Sequence, residues 1–154
     1  MTLDLRVYRS RATSHAQATG LFGQVLGHEP VSAPGSGLTA AYWVSRIGPV
    51  PPGSGLTATT ARLELMGRLL MPADTEPPDE VDLAVTDAVD ALVTAYTGDL
   101  DFGDSVRNVD VLGAHGAPLQ AQFGYATFQG GTTYRVATLT IPLIINDAWG
   151  QAYG

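Results

Sequence analysis

Three histidines are the residues of this chain best suited to bind a metal or to act in acid–base catalysis. His15, His28 and His115 are far apart in the sequence. His28 has no second histidine four residues later, which a zinc-binding helix requires. His115 lies between Gly113 and Gly116, which indicates a loop, and His15 falls on a predicted helix. A metal site or catalytic triad would need these side chains to meet an acid in space, and the pattern favours structural roles.

A glycine-rich segment, PGSGLTA, occurs twice and begins at Pro34 and at Pro52. Neither copy is followed by the lysine of a phosphate-binding P-loop. Each copy leads into a predicted strand, whereas a serine nucleophile elbow connects a strand to a helix. The two segments therefore predict turns and not catalytic loops.

Acidic residues are concentrated between Asp74 and Asp104. This segment holds ten of the fifteen acids and no arginine, while the rest of the chain carries eight arginines and five acids. Catalytic carboxylates need burial or a close neighbour to shift their pKa. Asp87 and Asp90 are predicted on the outer face of a helix, where they have neither. The segment indicates a solvated surface or one that faces a partner.

The composition excludes several classes of protein. The chain has 154 residues, no cysteine and a net charge of −7, so a disulfide framework and a thiolate zinc site are excluded, and binding to nucleic-acid phosphates is disfavoured. No apolar run approaches the ~20 residues of a membrane-spanning helix, and we expect no membrane partner. Charged residues make up only 15%, against about 25% in a typical domain, which indicates surfaces that contact other proteins.

Apolar residues at three- and four-residue spacing predict two helices. The first runs over Leu3–Thr19 and ends at Gly20, because glycine readily adopts the left-handed conformation. The second runs over Asp82–Tyr96, with Asp82 as its N-cap. The predicted buried stripe of the second helix comprises Val81, Val85, Val89, Leu92 and Tyr96.

Two strands are predicted in the first half, after a short extended piece over Leu21–Leu26. They run over Thr39–Ile47 and Ala61–Leu69 and pair antiparallel across a loop from Gly48 to Gly55. Tyr42 and Trp43 are adjacent in the first strand, so their rings point to opposite faces of the sheet. One ring is expected in the core, and the outward ring is a candidate interface anchor.

Three strands are predicted in the last third, over Val106–Leu112, Leu119–Phe128 and Thr133–Ile145, the last two as a hairpin. Pro142 predicts an edge or a bulge near the end of the last strand. The expected fold is a single α+β domain over residues 1–154, with a short flexible tail from about residue 147. Two helices pack on one mixed, largely antiparallel sheet in the order α-β-β-α-β-β-β.

A series of short segments follows a fixed order along nearly the whole chain. It includes Gly20-Leu21-Phe22, His28-Glu29-Pro30, Gly37-Leu38-Thr39-Ala40-Ala41, Ile47-x-Pro49, Ala88-Val89-Asp90-Ala91-Leu92, Arg107-Asn108-Val109-Asp110, Gly113-Ala114-His115-Gly116, Tyr134-Arg135 and Leu139 to Asn146. Together these segments resemble the tail terminator, or tail completion, proteins of long-tailed bacteriophages. The three arginines of the first helix and the Pro78-Asp79 pair depart from that family's pattern.

The resemblance implies a structural virion protein without catalytic activity, cofactor or metal. Such proteins form a ring, usually of six copies, at the junction of tail and neck, and they assemble in the host cytoplasm. The ring ends polymerisation of the tail tube protein and docks to the head–tail connector or neck proteins. The genome passes through its lumen without specific binding.

A closed ring needs two different patches on each copy. The arginines of the first helix and the acidic segment are candidate complementary patches, although the acidic segment would equally suit the lumen. The loop from Gly48 to Gly55 is expected to reach a neighbouring copy or the tube. The candidate interface residues are Arg6, Arg9, Arg11, Trp43, Pro49, Pro51, Pro52, Gly53, Ser54, Asp87, Asp90, Asp99, Asp101 and Asp104.

Other roles stay open at this level. Another neck component, such as a head completion or connector protein, would need a similar ring. A small enzyme would need His28 or His115 to meet an acid. A monomeric binding module would show a surface pocket and no dependence of its mass on concentration.

Overall fold

The α+β class is confirmed. The computed structural model describes residues 3–30, 34–51 and 58–150. In chain order its elements are α1 (Leu5–Thr19), β1 (Gln24–Leu26), β2 (Thr39–Pro49), β3 (Ala58–Pro72), α2 (Asp79–Thr97), β4 (Asn108–Val109), β5 (Gln120–Thr127) and β6 (Thr133–Gly150). The short extended piece predicted before the glycine-rich turn is β1. Neither α1 nor α2 combines the length and the apolar character that a membrane span requires.

All strands belong to one six-stranded sheet. Its order is β1-β2-β3-β6-β4, and β5 also pairs with β6. Only β1 and β2 are parallel, and every other neighbouring pair is antiparallel. The predicted mixed, largely antiparallel sheet is therefore confirmed, with β3 and β6 at its centre.

Both helices pack on one face of this sheet, and the core lies between them. Alternate residues of β3 and β6 point to this face and are fully buried, as a strand's period of two requires. The largest aliphatic members are Leu63, Leu65, Leu69, Leu139, Ile141 and Leu143. Burying each such side chain contributes about 1.5–3 kcal/mol. Two buried tyrosines add polar links across the core, because the Tyr42 and Tyr96 hydroxyls lie 2.7 Å apart and Tyr96 donates to the Ala12 carbonyl over 3.0 Å.

The ends of the helices follow from local chemistry, with one correction. Gly20 ends α1 with a left-handed φ of 70°, as predicted. α2 begins at Asp79 and not at Asp82, because Pro78 occupies the N-cap position and starts the helix earlier. Asp82 therefore lies in the first turn and pairs with Arg135 over 3.0 Å instead of capping the helix.

The hairpin of β5 and β6 is confirmed, but two apolar side chains of β5 are exposed. The rings of Phe123 and Tyr125 are 43% and 69% exposed. α2 packs on β3 and β6, whereas β5 lies at the edge of the sheet and pairs with β6 alone. The alternation of apolar residues therefore predicts correctly which side chains of β5 share a face. That face is uncovered around Phe123 and Tyr125 because β5 lies at the edge of the sheet.

The last strand is longer than predicted. β6 continues through Pro142 to Gly150, so residues 147–150 form strand and not the start of a tail. Pro142 is tolerated because the first residue of β5 lies opposite Thr140 and the last residue of β4 lies opposite Leu143, so the missing N–H lies where the neighbouring strand changes. The predicted bulge occurs later, at a register shift near Asp147, whose φ is 50°. The strand predicted over Val106–Leu112 is reduced to the two residues of β4.

Candidate interaction surfaces

The arginines of α1 have different surroundings. Arg11 donates from Nε to Oδ2 of Asp99 over 2.7 Å, and Arg9 donates from Nη1 to the Gly27 carbonyl over 2.9 Å. Arg6 is exposed. Arg11 and Asp99 were predicted in complementary patches on different copies. The structure corrects this, because α1 packs against α2 and pairs the two residues within one chain.

Asp99 ties α1 to the turn that follows α2. Its Oδ2 also lies 2.7 Å from Nε2 of His15, and its Oδ1 accepts the Gly103 N–H over 3.0 Å. These contacts lower the pKa of Asp99 to about 2, and the hydrogen bond from Arg11 has the largest effect. The turn includes Phe102, a buried ring with a positive φ of 49°. Asp99 therefore holds a turn whose backbone is strained for a non-glycine residue.

We expect the Asp99 contacts to make stability depend on acid pH. A pKa lower in the folded than in the unfolded state means that the unfolded chain takes up the proton first. The contribution of Asp99 is present above its ordinary pKa of 3.8 and is lost as the pH falls towards about 2. Urea unfolding between pH 5 and pH 2 should show a smaller loss of stability in Asp99→Asn than in the wild type.

Asp101→Asn is the matched control for this prediction, because it removes an exposed carboxylate from the same turn. It should retain the wild-type loss of stability. An equal loss in Asp99→Asn and in the wild type would contradict the prediction.

The remaining acids of the candidate interface are on the surface. Asp87 and Asp90 lie on the outer face of α2, and Asp101 and Asp104 lie on the turn after it. All four are exposed, which suits either a neighbouring copy or a solvated lumen. Their role in contacts stays a prediction.

Trp43 lies on the face of the sheet opposite the helices. Its ring is half-buried, and the guanidinium carbon of Arg68 lies 5.2 Å from the ring centroid. Tyr42 points to the other face and is fully buried. The prediction of one core ring and one surface ring is therefore confirmed, and the outer part of Trp43 is accessible to a partner.

The connection between β2 and β3 begins two residues later than predicted. β2 continues to Pro49 and β3 begins at Ala58, so the predicted loop residues Gly48 and Pro49 belong to a strand. Pro49 and Pro51 are exposed. The candidate residues Pro52, Gly53 and Ser54 lie outside the described residues.

One edge of the sheet is the second half of β2. β1 pairs only with Thr39–Ala41, and among the described residues no other strand pairs with this side of Tyr42–Pro49. A register shift between Val44 and Arg46 places Val44 and Ile47 on the same side of the strand, opposite Leu65 and Leu63 of the helix face. The two side chains are 37% and 42% exposed. A cleft of about 520 Å³ opens beside this edge, and its lining includes Leu5, Arg6, Arg9, Trp43 and Val44.

The opposite edge is β5. The guanidinium carbon of Arg135 lies 5.5 Å from the Phe123 ring centroid and 4.8 Å from that of Tyr125. Such contacts hold the two rings in place at a modest gain in free energy, about 0.5–1 kcal/mol each at exposed sites. Arg135 also pairs with Asp82, whose side chain is 65% exposed. This edge therefore presents ordered aromatic rings beside the acidic first turn of α2.

A buried ionic cluster lies at one end of the sheet, and no local pattern in the sequence indicates it. Arg62 and Asp110 are 7% and 4% exposed, and Arg62 Nε lies 3.4 Å from Asp110 Oδ2. Arg62 also donates to Glu64 and to the Ala117 carbonyl. Asp110 accepts the backbone N–H of His115 over 3.0 Å and that of the preceding residue over 2.8 Å. The cluster fastens the loop over 110–117 onto the sheet.

The histidines do not come together. His15 contacts Asp99, and His28 and His115 are exposed at separate places. Across residues 3–30, 34–51 and 58–150, no group of three or more histidine, aspartate and glutamate side chains is placed to hold a metal.

The surfaces best suited to binding are therefore the two sheet edges, which differ in sequence and in charge. Comparison with models of protein families and with curated proteins gives no match to this chain. Function is inferred from these two edges and from the residues already described.

Proposed function

We propose that this chain is a structural virion protein, a tail terminator whose copies form a ring on the tail tube. The ring ends tube polymerisation and docks to the head–tail connector, and we expect six copies. It belongs at the junction of tail and neck, and DNA passes through its lumen. The observation that carries the proposal is that the sheet has two different edges, both with exposed apolar side chains. A closed ring requires such unlike patches, since each copy uses one patch on each neighbour.

Two of the segments that carry the family resemblance lie at the β2 edge, and this supports the proposal. The segment from Gly37 to Ala41 leads into the uncovered half of β2. The segment over 113–116 lies beside the end of the same strand, since Arg46, Pro49 and His115 line one cleft. Part of the resemblance is thus found where a neighbouring copy would bind.

The charge distribution also supports a ring. Arg6 lies beside the β2 edge, whereas Asp82 lies beside the β5 edge. Opposite charges on the two sides favour contact between unlike edges over contact between like edges. The exposed acids Asp87 and Asp90 on α2 add negative surface that disfavours the binding of DNA.

Mass measurement by light scattering across protein concentrations, combined with negative-stain images of the same fractions, tests the proposal. We expect a discrete species near six subunits that gives ring-shaped views. In a second assay, the protein should bind the ends of isolated tail tubes and stop their growth. A protein that stays monomeric at every concentration and leaves tube growth unchanged would contradict the proposal.

A further inference from the structure

We propose that neighbouring copies join by strand addition, in which the uncovered half of β2 pairs antiparallel with β5 of the next copy. The partner surface is thus a second copy of this chain. This inference rests on the proposed ring and adds which backbone segments and side chains form its subunit contact.

The two strand segments match in length. β2 has eleven residues and β1 pairs with three of them, so eight remain, from Tyr42 to Pro49, and these include the irregular position between Val44 and Arg46. β5 also has eight residues, from Gln120 to Thr127. In the described part of the chain, each segment is an edge of the sheet, and the two edges are opposite each other. An unpaired strand edge is a template for a further strand.

The backbone groups at both edges are directed outwards. Val50 donates its N–H to the Thr60 carbonyl over 2.8 Å, so alternation along β2 directs the N–H of Ile47 away from β3. The N–H of Phe128 donates to the Thr132 carbonyl over 3.2 Å and therefore points towards β6. The same alternation directs the N–H groups of Phe123 and Tyr125 away from β6. Pro49 has no N–H to donate, so the shared ladder ends there.

Strand direction favours pairing of β2 with β5. β2, β3, β6 and β5 are successive antiparallel neighbours, so β2 and β5 run in opposite directions within one copy. When the next copy keeps the same orientation, its β5 lies antiparallel to β2 and its helices stay on the same face. Repetition of this step is the head-to-tail arrangement of a ring.

The side chains at the two edges are also complementary. Val44 and Ile47 on one edge, and Phe123 and Tyr125 on the other, are exposed on the same face of the sheet. The apolar groups would therefore meet across the junction, beside the cleft that Arg6 lines. The acidic first turn of α2, with Asp79, Glu80 and Asp82, would approach this arginine.

Cysteine cross-linking tests the contact directly, because the chain contains no cysteine. The variants are Ile47→Cys, Tyr125→Cys and the double variant, each treated with a short bismaleimide and run on a denaturing gel. We expect a ladder from dimer up to the ring size in the double variant and monomers in both single variants. The double variant Thr94→Cys with Tyr125→Cys is the matched control, since Thr94 is exposed towards the C-terminal end of α2 and is not a candidate interface residue, and it should stay monomeric.

Other cross-linking results would overturn the inference. Dimers from Tyr125→Cys alone would show that two β5 edges pair with each other. If the Ile47→Cys, Tyr125→Cys double variant gives only monomers on the gel, this contact is excluded, whether or not rings are seen. If rings form but the cross-linked ladder is absent, the contact is wrong and the proposed function stands. If the ladder forms but there are no rings and no capping of tail tubes, the contact stands and the proposed function is wrong.

Substitutions at Phe123 separate strand addition from simple apolar contact. Phe123→Ala removes the ring and keeps the N–H, whereas Phe123→Pro removes both. The β5–β6 hydrogen bonds use the alternate residues such as Gln122, so both variants should keep the wild-type circular dichroism. We expect light scattering to show weakened assembly in Phe123→Ala and complete loss in Phe123→Pro. Equal assembly of the two variants would overturn strand addition.

Discussion

Replacement of Arg62 by methionine is expected to lower the free energy of unfolding by about 3–5 kcal/mol, since removing one partner of a buried ion pair leaves the other uncompensated. Arg62 is 7% exposed and donates to Asp110, Glu64 and the Ala117 carbonyl. Methionine fills much of the space of the arginine stem but donates no hydrogen bond. Asp110, at 4% exposure, would lose its buried counter-charge.

Arg68→Met is the matched control, because Arg68 lies on the same strand and the same face. Its side chain is 29% exposed, and its ion pair with Glu29 is long, at 4.0 Å. Its guanidinium also lies 5.2 Å from the Trp43 ring centroid, so we expect a loss of about 1–2 kcal/mol, from a surface ion pair and a cation–π contact together. Urea unfolding at pH 7 measures both variants. Similar losses in the two variants would show that the Arg62 cluster does not stabilise the fold as its geometry indicates.

Gly67→Ala is expected to cost about 1–3 kcal/mol of stability, as overpacking of a core does. A Cβ at residue 67 would lie 2.9 Å from Cε1 of Tyr42, closer than carbon atoms approach. The Tyr42 ring has little freedom to move, because it is fully buried and its hydroxyl lies 2.7 Å from that of Tyr96. Glycine is needed here because the ring lies directly over the backbone of β3.

Gly124→Ala offers the control in the same sheet, because a Cβ there meets no atom within 4 Å. Alanine restricts the unfolded chain, so this variant should keep or slightly raise the stability, by about 0.4–1 kcal/mol at most. Thermal unfolding of both variants measures the difference. A Gly67→Ala variant as stable as the wild type would mean that the sheet and α2 shift apart at low cost.

Most of the elements could be predicted from the sequence, because their signals are local. Alternation of apolar residues identifies β3, β5 and β6, aromatic and β-branched residues identify β2, and three- and four-residue spacing identifies α1 and α2. Gly20 ends α1 as expected, since its role depends only on its own backbone. The start of α2 was missed by three residues, because Pro78 and Asp82 both suit a helix N-terminus and the local sequence does not choose between them.

The contacts between distant residues could not be predicted in this way. Arg62 and Asp110 meet although 48 positions separate them, and Arg11 meets Asp99 across 88 positions. Such pairs depend on strand order and helix packing, which charge and spacing alone do not specify. The exposure of Phe123 has the same origin, because it follows from the place of β5 at the edge of the sheet.

The central position of β6 has a consequence for synthesis. β3 is complete at Pro72 and has β2 on one side, but its neighbour on the other side, β6, begins only at Thr133, and β5 also pairs with β6. A nascent chain that ends before Thr133 therefore carries β3 and β5 without the strand that joins them. Because non-local strand pairing must wait for both partners, the sheet closes only after β6 leaves the ribosome. The β5 edge thus exists in its final form only on a chain whose sheet is complete, so the proposed contact between copies has to wait until folding has finished.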